Sequence, residues 1–267
     1  MTQTTPAIPT DTLALHNGGA MPLVGFGTWQ ITGEAAVTAT AAALEAGYRH
    51  LDTATVYGNE AEVGRALADS GVPRDDVFVT TKFPPSQAGQ EREVLERSLE
   101  ALRTDHLDLW LVHWVDDEVD KVATWERLVA ARNDGLVRDI GVSNYDAALI
   151  DTLTSATGVT PAVNQIRWSP FLYDAAVVEA HRQRGVVLEG YSALRGGTLD
   201  DATIGAIAGR LDVTAAQVIV RWHVQHGTVV IPKSTHPERI RVNADVAGFE
   251  LTAEDMAALD ALEDPGA

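Results

Sequence analysis

The sequence predicts an α/β chain folded as a (β/α)8 barrel of the TIM type, preceded by a β-hairpin. Short apolar runs alternate with helix-periodic segments eight times. The alternation fills about 250 residues, the usual size of such a barrel, and no Pro/Gly/Ser-rich linker interrupts it. The first strand-like run, Gly25-Phe-Gly-Thr-Trp-Gln30, lacks the third glycine of a dinucleotide fingerprint, which argues against a doubly wound sheet. One domain over residues 1–267 is expected, with residues 1–10, polar and holding two prolines, as flexible chain.

Apolar arms around Asn17-Gly18 predict the hairpin, because that pair accepts the positive φ of a tight turn. Strand one falls within residues 24–29, and an Ala-rich helix covers 34–46. Residues 50–52 form a short buried strand, after which Gly58-Asn-Glu turns the chain into a helix over 60–69. Further strands are expected at 77–82, 108–113, 139–143, 162–166, 185–190 and 228–231, with helices at 91–102, 120–132, 175–183 and 215–225. The run 108–113 is nearly all apolar, as a strand buried on both faces should be.

Composition narrows the function. Acidic residues outnumber basic ones by 38 to 20, for a net charge of −18, which argues against nucleic acid and anionic membranes as partners. There is no cysteine, so disulfides, thiolate metal sites and Cys nucleophiles are excluded, and a 45% hydrophobic fraction suffices for a large core. With no apolar run near the roughly 18 residues that span a bilayer, and no signal pattern at residues 1–10, a cytoplasmic protein is expected.

In barrels of this kind ligands gather at the carboxyl ends of the strands. Strands two, three and four end at Asp52, Lys82 and His113, and Tyr57 follows five residues after Asp52. An ammonium beside a phenol favours phenolate, so Lys82 is expected to lower the Tyr57 pKa while Asp52 keeps Lys82 charged and in place. His113 is then placed to hydrogen-bond a substrate oxygen. Singly, each has an ordinary structural explanation: a helix cap, a packed ring, a solvated strand end, a core histidine. Their convergence is the signal.

The segments Gly47-Tyr-Arg-His-Leu-Asp-Thr-Ala-Thr-Val-Tyr-Gly-Asn-Glu60, Thr81-Lys82, Leu107-Asp-Leu-Trp-Leu-Val-His113, Gly141-Val-Ser-Asn-Tyr145, Asn164-Gln165, Gly190-Tyr-Ser192 and Ile231-Pro-Lys-Ser234 follow one another in this order. Together they resemble the aldo-keto reductase superfamily, most closely its bacterial 2,5-diketo-D-gluconate reductase branch. The resemblance implies the barrel fold and metal-independent hydride transfer from a nicotinamide cofactor to an aldehyde or ketone. Tyr57 is implied as general acid, with Lys82 and Asp52 tuning it and His113 orienting the carbonyl. It further implies that Ser143, Asn144 and Gln165 hold the nicotinamide amide, that Tyr191 stacks on its ring, and that Ser192 and Leu194 lie along the cofactor.

Lys233, Ser234 and Arg239 match positions that hold the 2′-phosphate of NADPH in similar reductases, so NADPH is expected over NADH. Ser234 or Thr235 is also expected to cap a helix with Pro237 in its first turn, whose amino end attracts anions. Asn243 is implied as an adenine contact. Trp29, Phe83 and Trp114 are expected as apolar walls of a substrate pocket. His223 and His226 lie three apart on one helix but have no evident third ligand, so they are assigned to the outer face of the barrel, not to a metal.

Three departures from the family pattern stand out: Arg167 where an acid is usual, Ser192-Ala-Leu194 in place of Ser-Pro-Leu, and a short tail after Leu259 that predicts an open pocket. The expected partner is a small carbonyl compound, either a small aldehyde, a diketone or a keto-sugar acid, and the expected state is a monomer. The alternative is an NADPH-binding redox sensor or regulatory subunit with little turnover.

Overall fold

The computed structural model describes residues 6–16, 18–195 and 198–263. Strands β1 (Thr12–Ala14) and β2 (Ala20–Pro22) pair antiparallel, with Leu13 opposite Met21. The connection is longer than a two-residue turn. Leu15 N–H donates to the Gly19 carbonyl at 2.8 Å, and Gly18 takes the positive φ, +85°, while Asn17 lies outside the described residues. Leu15, Met21 and Leu23 pack on Leu109, Leu111 and Val229 inside the barrel, so the hairpin plugs its amino end.

Eight parallel strands make the barrel: β3 (Phe26–Gly27), β4 (His50–Asp52), β5 (Phe78–Phe83), β6 (Leu107–Val112), β7 (Val137–Ser143), β8 (Val163–Arg167), β9 (Val187–Tyr191) and β10 (Val229–Val230). Each pairs with its neighbours in chain order. A parallel bridge from Val24 to Val230 closes the ring, extended by the Gly27 N–H to the Pro232 carbonyl at 3.2 Å. Glycine is required there, since a Cβ on Gly27 would sit 2.8 Å from the Ile231 carbonyl oxygen.

Ten helices surround the described barrel: α1 (Glu34–Ala46), α2 (Glu60–Asp69), α3 (Glu91–Leu102), α4 (Lys121–Asn133), α5 (Ala147–Thr157), α6 (Ala175–Gln183), α7 (Ala202–Leu211), α8 (Ala215–Gln225), α9 (Pro237–Ala244) and α10 (Ala253–Asp260). Among the described residues no single helix is long and apolar enough to cross a membrane. Three of them, α5, α7 and α10, go beyond the helices that the periodicity predicts. In α5 the threonines dilute the helical pattern, and Thr152, Thr154 and Thr157 each turn a hydroxyl back to a carbonyl four residues earlier. Asp146 starts that helix by accepting from Leu149 N–H at 2.8 Å.

Strand alternation decides which side chains reach the interior. On β5, Lys82 points inward, while Phe83 joins Trp110, Val94 and Leu95 in the layer between barrel and helices. Residues 6–10, expected as flexible chain, are tied down: Ala7 N–H donates to Asp245 at 2.7 Å, and Ile8 packs on the core.

Candidate active site

Asp52 ends β4 and Lys82 lies beside it on β5, both buried. Lys82 Nζ donates to the two Asp52 oxygens at 2.7 and 2.8 Å and to the Thr53 carbonyl at 2.8 Å. Burial works against the ammonium, but Asp52 and then Tyr57 hold its pKa above the ordinary lysine value. The cation is therefore permanent at neutral pH.

Tyr57 closes a one-turn 3-10 segment, Thr55–Tyr57, which the Thr55 hydroxyl ties to β5 through the Lys82 carbonyl at 2.9 Å. Lys82 Nζ lies 5.1 Å from the Tyr57 ring centroid, and the His113 ring meets it edge-on at 5.6 Å. The expected fall in the Tyr57 pKa is not what the site produces. Burial raises it, and this outweighs the lowering by Lys82, to which Asp52 is in turn opposed. The phenol thus keeps its proton at neutral pH. His113 follows β6, anchored by its N–H to the Phe83 carbonyl at 2.9 Å. Burial, then Lys82, pushes its pKa down to about 3, so the imidazole is neutral, and its buried Nδ1 has no hydrogen-bond partner.

The four polar residues on the far side form a connected chain. Tyr191 OH donates to Asn144 Oδ1 at 3.1 Å, Asn144 Nδ2 to Ser143 Oγ at 3.1 Å, and Ser143 Oγ to the Gln165 carbonyl at 2.8 Å. Gln165 Nε2 completes the chain by donating to Asp52 Oδ2 at 2.8 Å. A cleft of about 570 Å³ opens above this network, and Tyr57, His113, Ser143, Asn144, Gln165 and Tyr191 all line it. Gln30, Asn144 and Ser192 are three of the five described non-glycine residues with positive φ, and all three border this cleft. Such backbone bends concentrate where side chains must be aimed at a ligand.

Trp29, Trp114, Leu194 and Lys233 also line the cleft. Trp29 and Val56 are two of the three large hydrophobic side chains exposed among the described residues, at 39% and 50%. Phe83 must be removed from the expected pocket wall, because its strand position faces the helices and it is fully buried there. Ser234, Arg239 and Asn243 lie beyond the cleft, toward and along α9. Neither Ser234 nor Thr235 caps that helix. The N-cap is His236, without a side-chain capping bond, and Ser234 Oγ instead accepts from the His236 N–H at 3.1 Å.

One buried acid escapes the sequence reading. Glu189 on β9 accepts the other N–H of Gln165 at 2.9 Å. Its signal is an acid inside the apolar run Val-Val-Leu-Glu-Gly, where an uncompensated carboxylate would be costly. His223 is buried and hydrogen-bonded to the Ile219 carbonyl, and His226 pairs with Asp260, so both belong to the outer layer. Among the described residues no three His, Asp or Glu side chains converge as a metal site. A larger cleft, about 910 Å³, opens at the amino end beside the hairpin, where Asp108 and Asp75 are already matched by Arg74 and Arg138.

Known proteins match this chain over nearly all of its length. The sequence pattern of the Aldo/keto reductase family matches residues 23–264. An aldo-keto reductase of Mycolicibacterium smegmatis is 46% identical over 262 residues, covering 97% of this chain and 92% of that one. The 2,5-diketo-D-gluconic acid reductase B of a Corynebacterium species is 43% identical over 263 residues, covering 97% and 94%. The crystal structure of an aldo/keto reductase from Brucella melitensis superposes with a TM-score of 0.90 at 39% identity, covering 95% and 99%. A barrel of the same shape, with sequence identity this high over nearly every residue, leaves one assignment: the chain belongs to the aldo/keto reductase family, oxidoreductases that reduce small carbonyl compounds with a nicotinamide cofactor.

Proposed function

We propose that this chain reduces aldehydes or ketones to alcohols with NADPH, and that Tyr57 is the proton donor. The observation that carries the reading is a buried ion pair, Asp52–Lys82, set beneath a phenol that holds its proton and beside an imidazole that stays neutral. NADPH, when bound, supplies the hydride to the carbonyl carbon. Tyr57 gives its proton to the carbonyl oxygen, and the phenolate left behind is stabilised by the adjacent Lys82 ammonium until water restores the proton. His113, being neutral, offers the same oxygen a hydrogen bond without competing as an acid. Trp29, Val56 and Trp114 give the mouth of the cleft its apolar surface.

The residues present fit the cofactor. Gln165 turns its nitrogen to buried carboxyl groups and leaves its oxygen for a ligand donor, and Tyr191 offers an aromatic face in the cleft. In this reading Ser143, Asn144 and Gln165 hold the carboxamide, while Ser192 and Leu194 follow the pyrophosphate side. Exposed Lys233 and Arg239, with Ser234, take the 2′-phosphate, and Asn243 meets the adenine. Lys233 and Arg239 have no ion pair among the described residues, unlike Arg210 and Arg221 on neighbouring helices. The substrate class, small aldehydes, diketones and keto-sugar acids, is supported by the likeness to a diketo-gluconic acid reductase. We further propose a single-domain, monomeric, cytoplasmic protein, in keeping with an acidic chain without cysteine.

The test is NADPH oxidation at 340 nm across a panel of aldehydes, α-diketones and keto sugars, beside a fluorescence titration of NADPH. Turnover with any member is expected. Tight binding with no turnover across the panel would favour a sensor role, and absence of binding would overturn the reading altogether.

A further inference from the structure

Beneath the cleft the barrel holds a second carboxyl group that the proposed chemistry leaves unused. Glu189 is 0% exposed at the middle of β9. Its Oε2 accepts from Gln165 Nε2 at 2.9 Å, and the same nitrogen gives its other proton to Asp52 Oδ2 at 2.8 Å. Its Oε1 has no hydrogen-bond partner and lies 3.7 Å from Nε2 of His50, which is equally buried and 3.3 Å from the Thr80 hydroxyl. In the sheet, Glu189 is flanked by Gln165 on β8 and Val229 on β10. The charged and titratable groups facing it are thus His50 and Asp52 of β4, Lys82 of β5 and, beyond them, Tyr57.

The cluster contains one ammonium, already bonded to both oxygens of Asp52. A second carboxylate in this water-excluded space would have no cation of its own. His50 does not supply one, because burial, with Lys82 adding to it, pushes its pKa down to about 3. Consistently, burial and then Asp52 push Glu189 up to about 8. A neutral carboxylic acid suits both neighbours. Its carbonyl oxygen receives the Gln165 N–H, and its hydroxyl, placed on Oε1, faces His50 Nε2. Between two carboxyl oxygens an amide must present its nitrogen to both, so its own oxygen is turned the other way, toward the cleft that Gln165 lines.

We propose that Glu189 is a positioning residue: held as a neutral acid between His50 and Gln165, it locks the Gln165 amide with nitrogen inward and oxygen toward the cofactor cleft. The consequence for binding rests on the reading of that cleft as an NADPH site; the lock itself does not. Ionisation of Glu189 has a second effect, since a new negative charge there raises the Tyr57 pKa and opposes proton donation.

Three readouts on Glu189→Gln and Glu189→Ala test this. With glutamine nitrogens labelled, the Gln165 side-chain protons should exchange slowly in the wild type and in Glu189→Gln, and much faster in Glu189→Ala; equal exchange in all three would overturn the lock. NADPH should bind Glu189→Gln within about twofold of wild type and Glu189→Ala about tenfold more weakly, the loss of one oriented hydrogen bond. Wild-type affinity in Glu189→Ala would overturn the effect on the cofactor, whereas a wild type that binds no NADPH would overturn the proposed function and leave the exchange result to judge the lock.

The third readout is melting temperature against pH. Between the ordinary glutamate pKa of 4.5 and about 8 the folded protein holds a proton that the unfolded chain has lost, so this group's contribution to stability falls across that window and is flat above it. Glu189→Gln has no such proton, and its melting temperature should rise relative to wild type from about pH 5 to about pH 8. A constant gap across that range would mean that Glu189 is ionised throughout and would overturn the neutral acid.

Discussion

At the amino end of the barrel Asp108, 5% exposed, receives Arg74 at 2.8 Å, Arg138 at 3.1 Å and the Val79 N–H at 2.9 Å, while Arg138 reaches on to Asp75 at 2.9 Å. At the carboxyl end one ammonium, Lys82, lies among Asp52, Glu189 and Tyr57. Both ends use charged side chains on adjacent strands. The first pairs two guanidinium groups, partly open to water, with two carboxylates, and has a hairpin packed beneath it. The second is sealed and short of cations, so two of its acidic groups, Tyr57 and Glu189, keep their protons. An end whose charges are matched holds strands together; an end whose charges are not matched stores protons that a reaction can use.

Tyr57→Phe should break this comparison most sharply. It removes the proposed proton donor and leaves the ring contacts with His113, so kcat should fall about 10³-fold. Melting temperature and NADPH affinity should stay near wild type, as differential scanning and fluorescence titration would report. Undiminished turnover would take Tyr57 out of the mechanism. The mirror experiment is Asp108→Ala. Two arginines lose their carboxylate and a buried N–H loses its acceptor, a destabilisation of about 2 kcal/mol after allowing for the exposure of Arg138, measured by urea unfolding. Its kcat/KM under folding conditions should match wild type. A parallel fall in turnover would mean that the two ends are not separate in function.

The sequence makes the carboxyl-end cluster legible because each member closes or follows a short apolar run, and parallel neighbours put such ends side by side. Asp52, Lys82 and His113 can be placed by counting strands alone. Phe83 cannot be placed that way: whether it lines the cleft or the outer layer depends on which face of β5 its neighbour Lys82 takes, a parity that a shift of one residue reverses. Glu189 hides for the opposite reason. It has no partner nearby in sequence, and its meaning comes from His50 and Gln165, 139 and 24 positions away. The direction of the Tyr57 pKa depends on burial, which composition does not reveal. Helix α5 was obscured by its threonines, whose hydroxyls satisfy themselves on the helix's own backbone.

The smallest expected effect lies outside both ends, at the exposed start of α9, and it distinguishes a fixed charge from a recruited one. Lys233 and Arg239 make no ion pair among the described residues, so a bound phosphate would be their partner and not a competitor of an existing one. If Arg239 takes the 2′-phosphate as proposed, replacing it by Ala should weaken NADPH about fivefold and NADH hardly at all, because one exposed, solvent-screened contact, open to only one of the two cofactors, is lost. Lys233→Ala should behave alike. The proposed preference for NADPH should also shrink as salt is raised, since these charges face water, whereas the sealed Asp52–Lys82 pair should be indifferent to salt. Equal losses for the two cofactors would remove both residues from the 2′-phosphate. A preference unchanged by salt would mean instead that it comes from a buried contact, and Asn243, buried on the same helix, is where that contact would then be sought.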